Sequence, residues 1–162
     1  MKHKLLKSKY GLLWLVFCVL ALIALQNFQV QTPSSTYNAG FLERLDAQGH
    51  AIEKHVGKSD QYLRDRLNRE TISTASTFND VAEAEGAIRD VLIKRGDLVQ
   101  AWLKTEKSNK KAFYHRMEKP VGRVLKRGWN IPRYGNQARV ILIRDKNYRE
   151  GFFILTAYPE LR

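Results

Sequence analysis

Four segments in the C-terminal half of the chain decide the fold: KAFYHRM (111–117), VGRVLK (121–126), ARVILIRD (138–145) and GFFILTAY (151–158). They are rich in Val, Ile, Phe and Tyr, which favour β-strands, and turn-forming Pro, Gly and Asn residues lie between them. Their connections are too short for the crossovers that parallel strands need. The sequence therefore predicts consecutive strands of an antiparallel sheet.

The chain before residue 105 follows the helical period instead. Helices are predicted over 41–45, 49–57 and 59–67 and from 79 or 80 to 95, and a shorter one over 97–104. Val81, Ala84, Ile88, Val91 and Leu92 form the expected apolar face of the longest helix, which should end at Gly96. Helices followed by strands predict an α+β domain in which N-terminal helices pack on a C-terminal antiparallel sheet.

Two of these helical segments carry residues of chemical interest. GHAIEKHVG (49–57) brings Ile52 and Val56 together and places His55 beside them. Ser59 is a good N-cap for the next helix, whose Leu63 and Leu67 form a core-facing stripe with Arg66 on the neighbouring stripe.

The N-terminal residues 1–28 are predicted to be an export signal or a single transmembrane anchor, because four lysines precede the apolar run GLLWLVFCVLALIAL (11–25). As a helix this run rises only about 22 Å, less than the roughly 30 Å hydrocarbon core, which favours a signal. No pair of small residues at cleavage-site spacing follows closely, which favours an uncleaved hydrophobic helix.

In either case the lysines should stay in the cytoplasm, so the domain is expected to be membrane-anchored on the extracytoplasmic side, or secreted. Polar residues 29–39 form the predicted linker, and residues 40–162 the domain.

Charge is concentrated in one part of this domain. The whole chain carries +12, and residues 100–149 hold 14 Lys and Arg against Glu106, Glu118 and Asp145, a balance of +11. Evenly mixed charges would indicate a solvated surface, but so few acids among the bases favour a polyanion such as nucleic acid or an anionic membrane.

The single cysteine, Cys18, lies in the apolar run, so the predicted domain has no disulfide and no Cys-based metal site. Phosphate-binding glycine loops, the dinucleotide fingerprint, HExxH and EF-hand loops are also absent. A reaction without metal or cofactor remains, or none at all.

Candidate chemistry rests on a few polar residues. The domain holds His50, His55 and His115, and Thr156 and Tyr158 lie two apart on the last strand, on one face at the end of the apolar row of Phe152 and Ile154. Singly, each residue is compatible with an ordinary structural role.

The stretches GHAIEKHVGKSDQYLRDRL (49–67), ASTFNDVAEAEGAIRDVL (75–92) and GFFILTAYPE (151–160) together resemble the RNase A-like domain at the C-termini of bacterial contact-dependent growth inhibition toxins of the CdiA type. The resemblance covers residues 40–162. It implies an RNase A-like fold without disulfides, catalytic residues at His55, Arg66, Thr156 and Tyr158, and an acidic immunity protein as partner.

The implied activity is a metal-independent endoribonuclease that cleaves RNA by 2′-OH attack and leaves a 2′,3′-cyclic phosphate. His55 is the natural proton carrier, since imidazole titrates near pH 6.5, and Arg66 is expected to stabilise charge on the phosphate. Thr156 either donates to phosphate or positions the nucleophile, and Tyr158 either binds phosphate or donates a proton.

RNA is expected to lie along the basic residues, with its bases stacked on the aromatic side chains between them. The pattern is equally compatible with these aromatic residues belonging to the hydrophobic core. The predicted RNA-binding residues are Lys54, Lys110, Lys111, Arg123, Lys126, Arg127 and Arg133.

Two readings without catalysis compete with this one. The domain could be a membrane-anchored basic module that grips nucleic acid or acidic polymers, or an interaction protein whose basic face docks on an acidic partner.

Overall fold

Residues 37–162 are described in the computed structural model of the protein. The predicted signal or anchor, 1–28, and most of the predicted linker, 29–39, lie outside them. Tyr37 packs its ring 5.3 Å from that of Phe41, and its carbonyl accepts a hydrogen bond from Arg89 Nε at 2.7 Å. Among the helices of this described part, none is long and apolar enough to cross a membrane.

Helices and strands within these residues follow the order α1 (Phe41–Leu45), α2 (Ala51–His55), α3 (Asp60–Arg69), β1 (Thr74–Thr77), α4 (Val81–Lys94), α5 (Gly96–Thr105), β2 (Lys110–Lys126), β3 (Arg133–Arg144) and β4 (Phe152–Glu160). The strands form one antiparallel sheet of order β1-β2-β3-β4. The predicted α+β class is confirmed. β1, which lies between helices, has no counterpart among the predicted strands.

Local capping fixes where the longer helices begin. Ser59 Oγ accepts a hydrogen bond from the Tyr62 amide at 3.1 Å, as predicted, and Asp80 Oδ1 accepts one from the Glu83 amide at 2.8 Å. Each bond satisfies an amide that has no partner inside its helix.

Two details of α4 differ from the prediction. Val81, the first residue of α4, is 38% exposed, so the buried face starts only at Ala84. α4 also ends at Lys94, and Gly96 begins α5 instead of terminating α4.

The domain has two apolar clusters. The larger joins α1, α4 and α5 to β3 and β4, and includes Trp102, Ile88 and Phe152. The smaller lies between α3, β1 and the end of β2, and consists of Leu63, Leu67, Ala75 and Leu125. The sheet thus has two arms with helices packed against each: β1 with the end of β2 forms one arm, and β3 with β4 forms the other.

A bend in β2 separates these arms. The sequence suggests two strands divided at Pro120, but the structure joins them into one, with register shifts between Arg116 and Val121 and between Val121 and Arg123. Gly122 adopts φ +56°, and a Cβ there would lie 2.3 Å from Thr77 O and 2.7 Å from a side-chain carbon of Pro159. The bend thus brings β1 close to β4.

Candidate active site

A β-bulge in β4 determines which side chains face the site. Ile141 pairs with Thr156 whereas its neighbour Leu142 pairs with Ile154, so Leu155 is an extra residue. Residues two apart share a face of a regular strand, so Ile154 and Thr156 would normally point the same way. The extra residue between them breaks this alternation and places Thr156 on the other face. Thr156 and Tyr158 do share a face, as predicted, but it is opposite to that of Ile154.

The turn before α2 docks on this bulge. The His50 amide donates to the Leu155 carbonyl at 3.0 Å, and Gly49 allows the close approach, since a Cβ there would lie 2.1 Å from Ile154 O. Asp46 completes the turn, because its carboxylate accepts hydrogen bonds from the amides of Ala51 and Ile52 at 2.8 and 2.9 Å.

His55, the last residue of α2, is buried. Its Nδ1 lies 3.0 Å from the Ser76 carbonyl, which can only accept, so Nδ1 carries the proton and the Nε2 lone pair remains available. Burial, partly opposed by this hydrogen bond, lowers the pKa of His55 to about 4. The neutral, proton-accepting form is thus the resting form at neutral pH.

Arg66 on α3 is buried and held in place by its neighbour one turn on. Its Nε and Nη2 each donate to Glu70 at 2.9 Å, and the hydrogen bond with Glu70 raises the pKa of Arg66. Nη1 is buried and has no hydrogen-bond partner. The guanidinium is therefore oriented, permanently charged, and left with an unused donor.

Thr156 and Tyr158 offer two hydroxyls beside these groups. Thr156 Oγ1 is buried without a hydrogen-bond partner. The Tyr158 ring centroid lies 5.2 Å from that of His55, and burial raises the pKa of the phenol above its ordinary value. Tyr158 therefore holds its proton tightly at neutral pH.

One cavity of about 730 Å³ brings these side chains together, and His55, Arg66, Thr156 and Tyr158 all line it. It lies between the two arms of the sheet. The structure thus assembles the four predicted catalytic residues, although they come from three separate elements, α2, α3 and β4, and span more than half of the chain. Their roles in catalysis stay predictions.

The predicted RNA-binding residues are more dispersed. Lys126 lines the cavity, and Lys54 lies on α2 next to His55. Lys110 and Lys111 lie at the other end of β2, opposite Ile143 and Leu142, away from the cavity lining. The seven cations do not form a single surface around the site.

Three of these cations have partners within the protein. Lys111 forms an ion pair with Glu106, and Arg123 forms one with Asp60. Arg127 donates to backbone carbonyls at 2.9 and 3.0 Å. Arg133, by contrast, stacks 4.4 Å from the centre of the Trp129 ring. Part of the basic block therefore stabilises the fold.

The aromatic residues of the block are similarly divided. Trp102 and Phe113 are buried in the larger cluster, whereas Tyr114 and Tyr134 are 39% and 67% exposed. Trp129 packs on the smaller cluster with Lys126 and Arg133 over its ring. Of these five aromatic residues, Tyr114 and Tyr134 are therefore the ones exposed enough to stack on a base.

Three basic residues outside the predicted site also line the cavity: His50, Arg139 and Arg162. Arg139 is the cross-strand partner of Tyr158 and forms an ion pair with Glu160 at 2.7 Å. Once strand pairing is known, the alternation of β3 places Arg139 beside Tyr158. The sequence gives no comparable signal for Arg162.

Within residues 37–162, no group of three or more His, Cys, Asp or Glu side chains is arranged to hold a metal ion.

The family described as "Bacterial CdiA-CT RNAse A domain" matches residues 49–159. The chain belongs to this family. The resemblance noted from the sequence is thereby confirmed, and the match extends from the turn that docks on the bulge to the last strand.

This CdiA-CT RNase A domain is also similar to a solved structure, that of a CdiA-CT/CdiI complex from Y. kristensenii. The two are 27% identical with a TM-score of 0.66, over 69% of this chain and 99% of that chain. The four-stranded antiparallel sheet with its helices agrees with an RNase A-like fold. No curated protein matches the chain significantly.

Proposed function

We propose that this CdiA-CT RNase A domain is a metal-independent endoribonuclease of the toxin type, which cleaves RNA through attack of the ribose 2′-OH. One observation carries the proposal: Arg66 Nη1 and Thr156 Oγ1 are buried without partners in the cavity that His55 lines. Unsatisfied buried donors are costly to a fold and are satisfied by a bound ligand, here a phosphate.

The charge and position of the two donors suit a phosphodiester. Arg66 is charged at every relevant pH and is oriented by Glu70, so its Nη1 is a fixed and unused donor for a phosphate oxygen. A donor fixed in advance stabilises most strongly the extra negative charge that develops on the phosphorus oxygens in the transition state. Thr156 Oγ1 can donate to a second oxygen.

His55 supplies the base. Its Nε2 lone pair is available because Nδ1–H is bound to Ser76, and the neutral form dominates at neutral pH. When His55 takes the 2′-OH proton, O2′ bonds to phosphorus, the bond from phosphorus to O5′ breaks, and O5′ leaves with a proton as a 5′-hydroxyl. The other product is a 2′,3′-cyclic phosphate. DNA lacks the nucleophile, so it should bind and stay intact.

The test is cleavage of single-stranded RNA in EDTA by the purified full-length protein, kept in mild detergent because of its apolar run. We expect cyclic phosphate ends, detectable by ³¹P NMR, and loss of activity in His55→Asn, which keeps the bond to Ser76 but has no base. Cleavage by this variant at the wild-type rate would refute the role of His55. A wild-type protein that binds RNA without cutting it would instead support a non-enzymatic binding module.

We further propose an acidic immunity protein as the partner of this domain. The similar structure is that of a CdiA-CT bound to CdiI, and residues 100–149 of this chain carry a charge of +11. Such a partner should associate rapidly at low salt and more slowly as salt screens the charges. Stopped-flow association of the cognate partner, with RNA cleavage measured at equimolar ratio, tests both the contact and the inhibition.

A further inference from the structure

His50 is a second histidine of the same cavity. It immediately precedes α2, and its backbone is fixed on both sides, since its amide donates to the Leu155 carbonyl and its carbonyl accepts from the Lys54 amide, each at 3.0 Å. Its half-buried imidazole lines the cavity with His55 and Thr156 and makes no capping hydrogen bond to α2. The ring is therefore placed by its backbone and remains available to a ligand.

RNA cleavage by 2′-OH attack needs two proton transfers. One group must accept the 2′-OH proton, and another must give a proton to the 5′ oxygen as its bond to phosphorus breaks. An alkoxide is a poor leaving group, so an enzyme without the second group loses much of its rate. His55 fills the first role, and the second is open.

Tyr158 is poorly suited to the second role. Its phenol is half-buried, and burial raises its pKa further above neutrality. A good proton donor has a pKa near the working pH, which an imidazole has and this phenol does not. Of the remaining histidines in residues 37–162, His115 pairs with Ala138 on β3 and is not part of the cavity lining.

The charges around His50 are mixed. Those acting on it from its own side of the cavity are Asp46 before α2, Glu53 and Lys54 on α2, and Arg66 on α3. Across the cavity lie Lys126 on β2, Arg139 on β3, and Glu160 and Arg162 at the end of the chain. Burial and then Lys54 lower the pKa of His50, while the two carboxylates oppose them. A bound phosphate adds negative charge and favours the protonated ring.

We propose that His50 is the second proton carrier of the reaction, an inference that rests on the proposed ribonuclease activity. O2′ bonds to phosphorus as its proton passes to His55 Nε2, and the bond from phosphorus to O5′ breaks as O5′ takes a proton from the His50 imidazolium. The products are a 2′,3′-cyclic phosphate and a free 5′-hydroxyl. Exchange with solvent then returns both histidines to their starting states.

The experiment compares leaving groups with full-length protein. The substrates are the dinucleotides ApA, CpA, GpA and UpA and the four matching nucleoside 3′-(4-nitrophenyl phosphates), and rates are compared for the base that the wild type cuts fastest. Nitrophenolate leaves without a proton, so His50→Ala should lose at least about 100-fold in kcat/KM on the dinucleotide and less than about 3-fold on the aryl ester. His55→Asn should lose activity on both.

A second readout is the pH profile. In the wild type, kcat/KM should fall on the alkaline side as His50 deprotonates, and this limb should disappear in His50→Ala. His50→Asn serves as a smaller change of side-chain volume, His115→Asn as the matched control outside the cavity, and circular dichroism checks folding. If the role of His50 were purely structural, its replacement would lower kcat/KM equally on both substrate classes and would leave the alkaline fall of kcat/KM in place.

The outcomes separate the two proposals. If the wild type cuts none of the eight substrates and no RNA, the ribonuclease function fails. If the wild type cuts them and the His50 variants lose activity equally on both substrate classes, the function stands and the proposed role of His50 is wrong. The same holds if those variants lose activity on neither class.

Discussion

Replacing His55 with Asn should change how the stability of the domain depends on pH. The Asn side-chain amide can donate to the Ser76 carbonyl as Nδ1 does, but it cannot be protonated. The pKa of His55 is about 4 in the folded protein, against about 6.5 for a histidine in an unfolded chain. As the pH falls, the unfolded chain therefore binds this proton first.

The sign and size follow from this difference. A folded-state pKa below the unfolded value means that wild-type stability is complete above about pH 6.5 and is lost as the pH falls toward 4. The whole difference corresponds to about 3 kcal/mol, of which about 2 kcal/mol is lost by pH 5. The His55→Asn variant should lose none of this pH-dependent stability, because its side chain does not titrate.

Urea unfolding followed by tryptophan fluorescence, at pH 7.5 and 5.0 in buffers free of phosphate, measures the effect. Carboxylates and His50 titrate in both proteins, so the comparison of the two losses isolates His55. We expect the wild type to lose about 2 kcal/mol more than His55→Asn between these pH values. Equal losses would show that His55 is not buried as a neutral ring, and the assignment of its Nε2 as the base would fall with it.

Three further predictions concern the bulge, the unpaired hydroxyl and the basic residues. Gly49→Ala should destabilise the domain by about 2 kcal/mol in urea unfolding and reduce cleavage, because its Cβ would collide with the β4 backbone, whereas Gly86→Ala, with open space on α4, should stabilise it by about 1 kcal/mol. Thr156→Val should raise stability by about 1 kcal/mol, since it removes a buried unpaired hydroxyl, yet lower kcat about 100-fold, with Thr156→Ser retaining most activity. Lys126→Ala should reduce the slope of log Kd against log salt for single-stranded DNA by about 0.7, more than Lys110→Ala, because Lys126 alone of the two lines the cavity; equal slopes would contradict this placement.

Features set by local sequence were predictable. Ser59 and Asp80 cap their helices through bonds to amides three residues on, and the apolar period of α4 from Ala84 onward follows from helix geometry. The antiparallel meander follows from short connections between apolar segments. These signals need no knowledge of distant parts of the chain.

Features set by distant partners were not predictable in this way. β1 consists of TAST, which has no apolar alternation, and it is a strand because it pairs with the end of β2. Pro120 looks like a break, but the bend of β2 accommodates it. The basic block gave no sign that Arg123 would be paired internally, since its partner Asp60 is far away in sequence.

The candidate site shows the same division. His55, Arg66, Thr156 and Tyr158 came from a family resemblance, and the structure gathers them in one cavity. His50 carried no signal of its own, because its place in the cavity depends on the hydrogen bond between its amide and the bulge in β4.

The bulge has a consequence for how this sequence can vary. Leu155 is half-buried. Its backbone carbonyl accepts the His50 amide and its presence as an extra residue forms the bulge, so both matter more than its side chain. Many substitutions at this position should therefore be compatible with an intact site. Deleting the residue would let β4 pair regularly and leave Thr156 and Tyr158 on the same face, but it would remove the carbonyl to which the His50 amide donates. Between Ile154 and Thr156, chain length is thus a stricter requirement than residue identity.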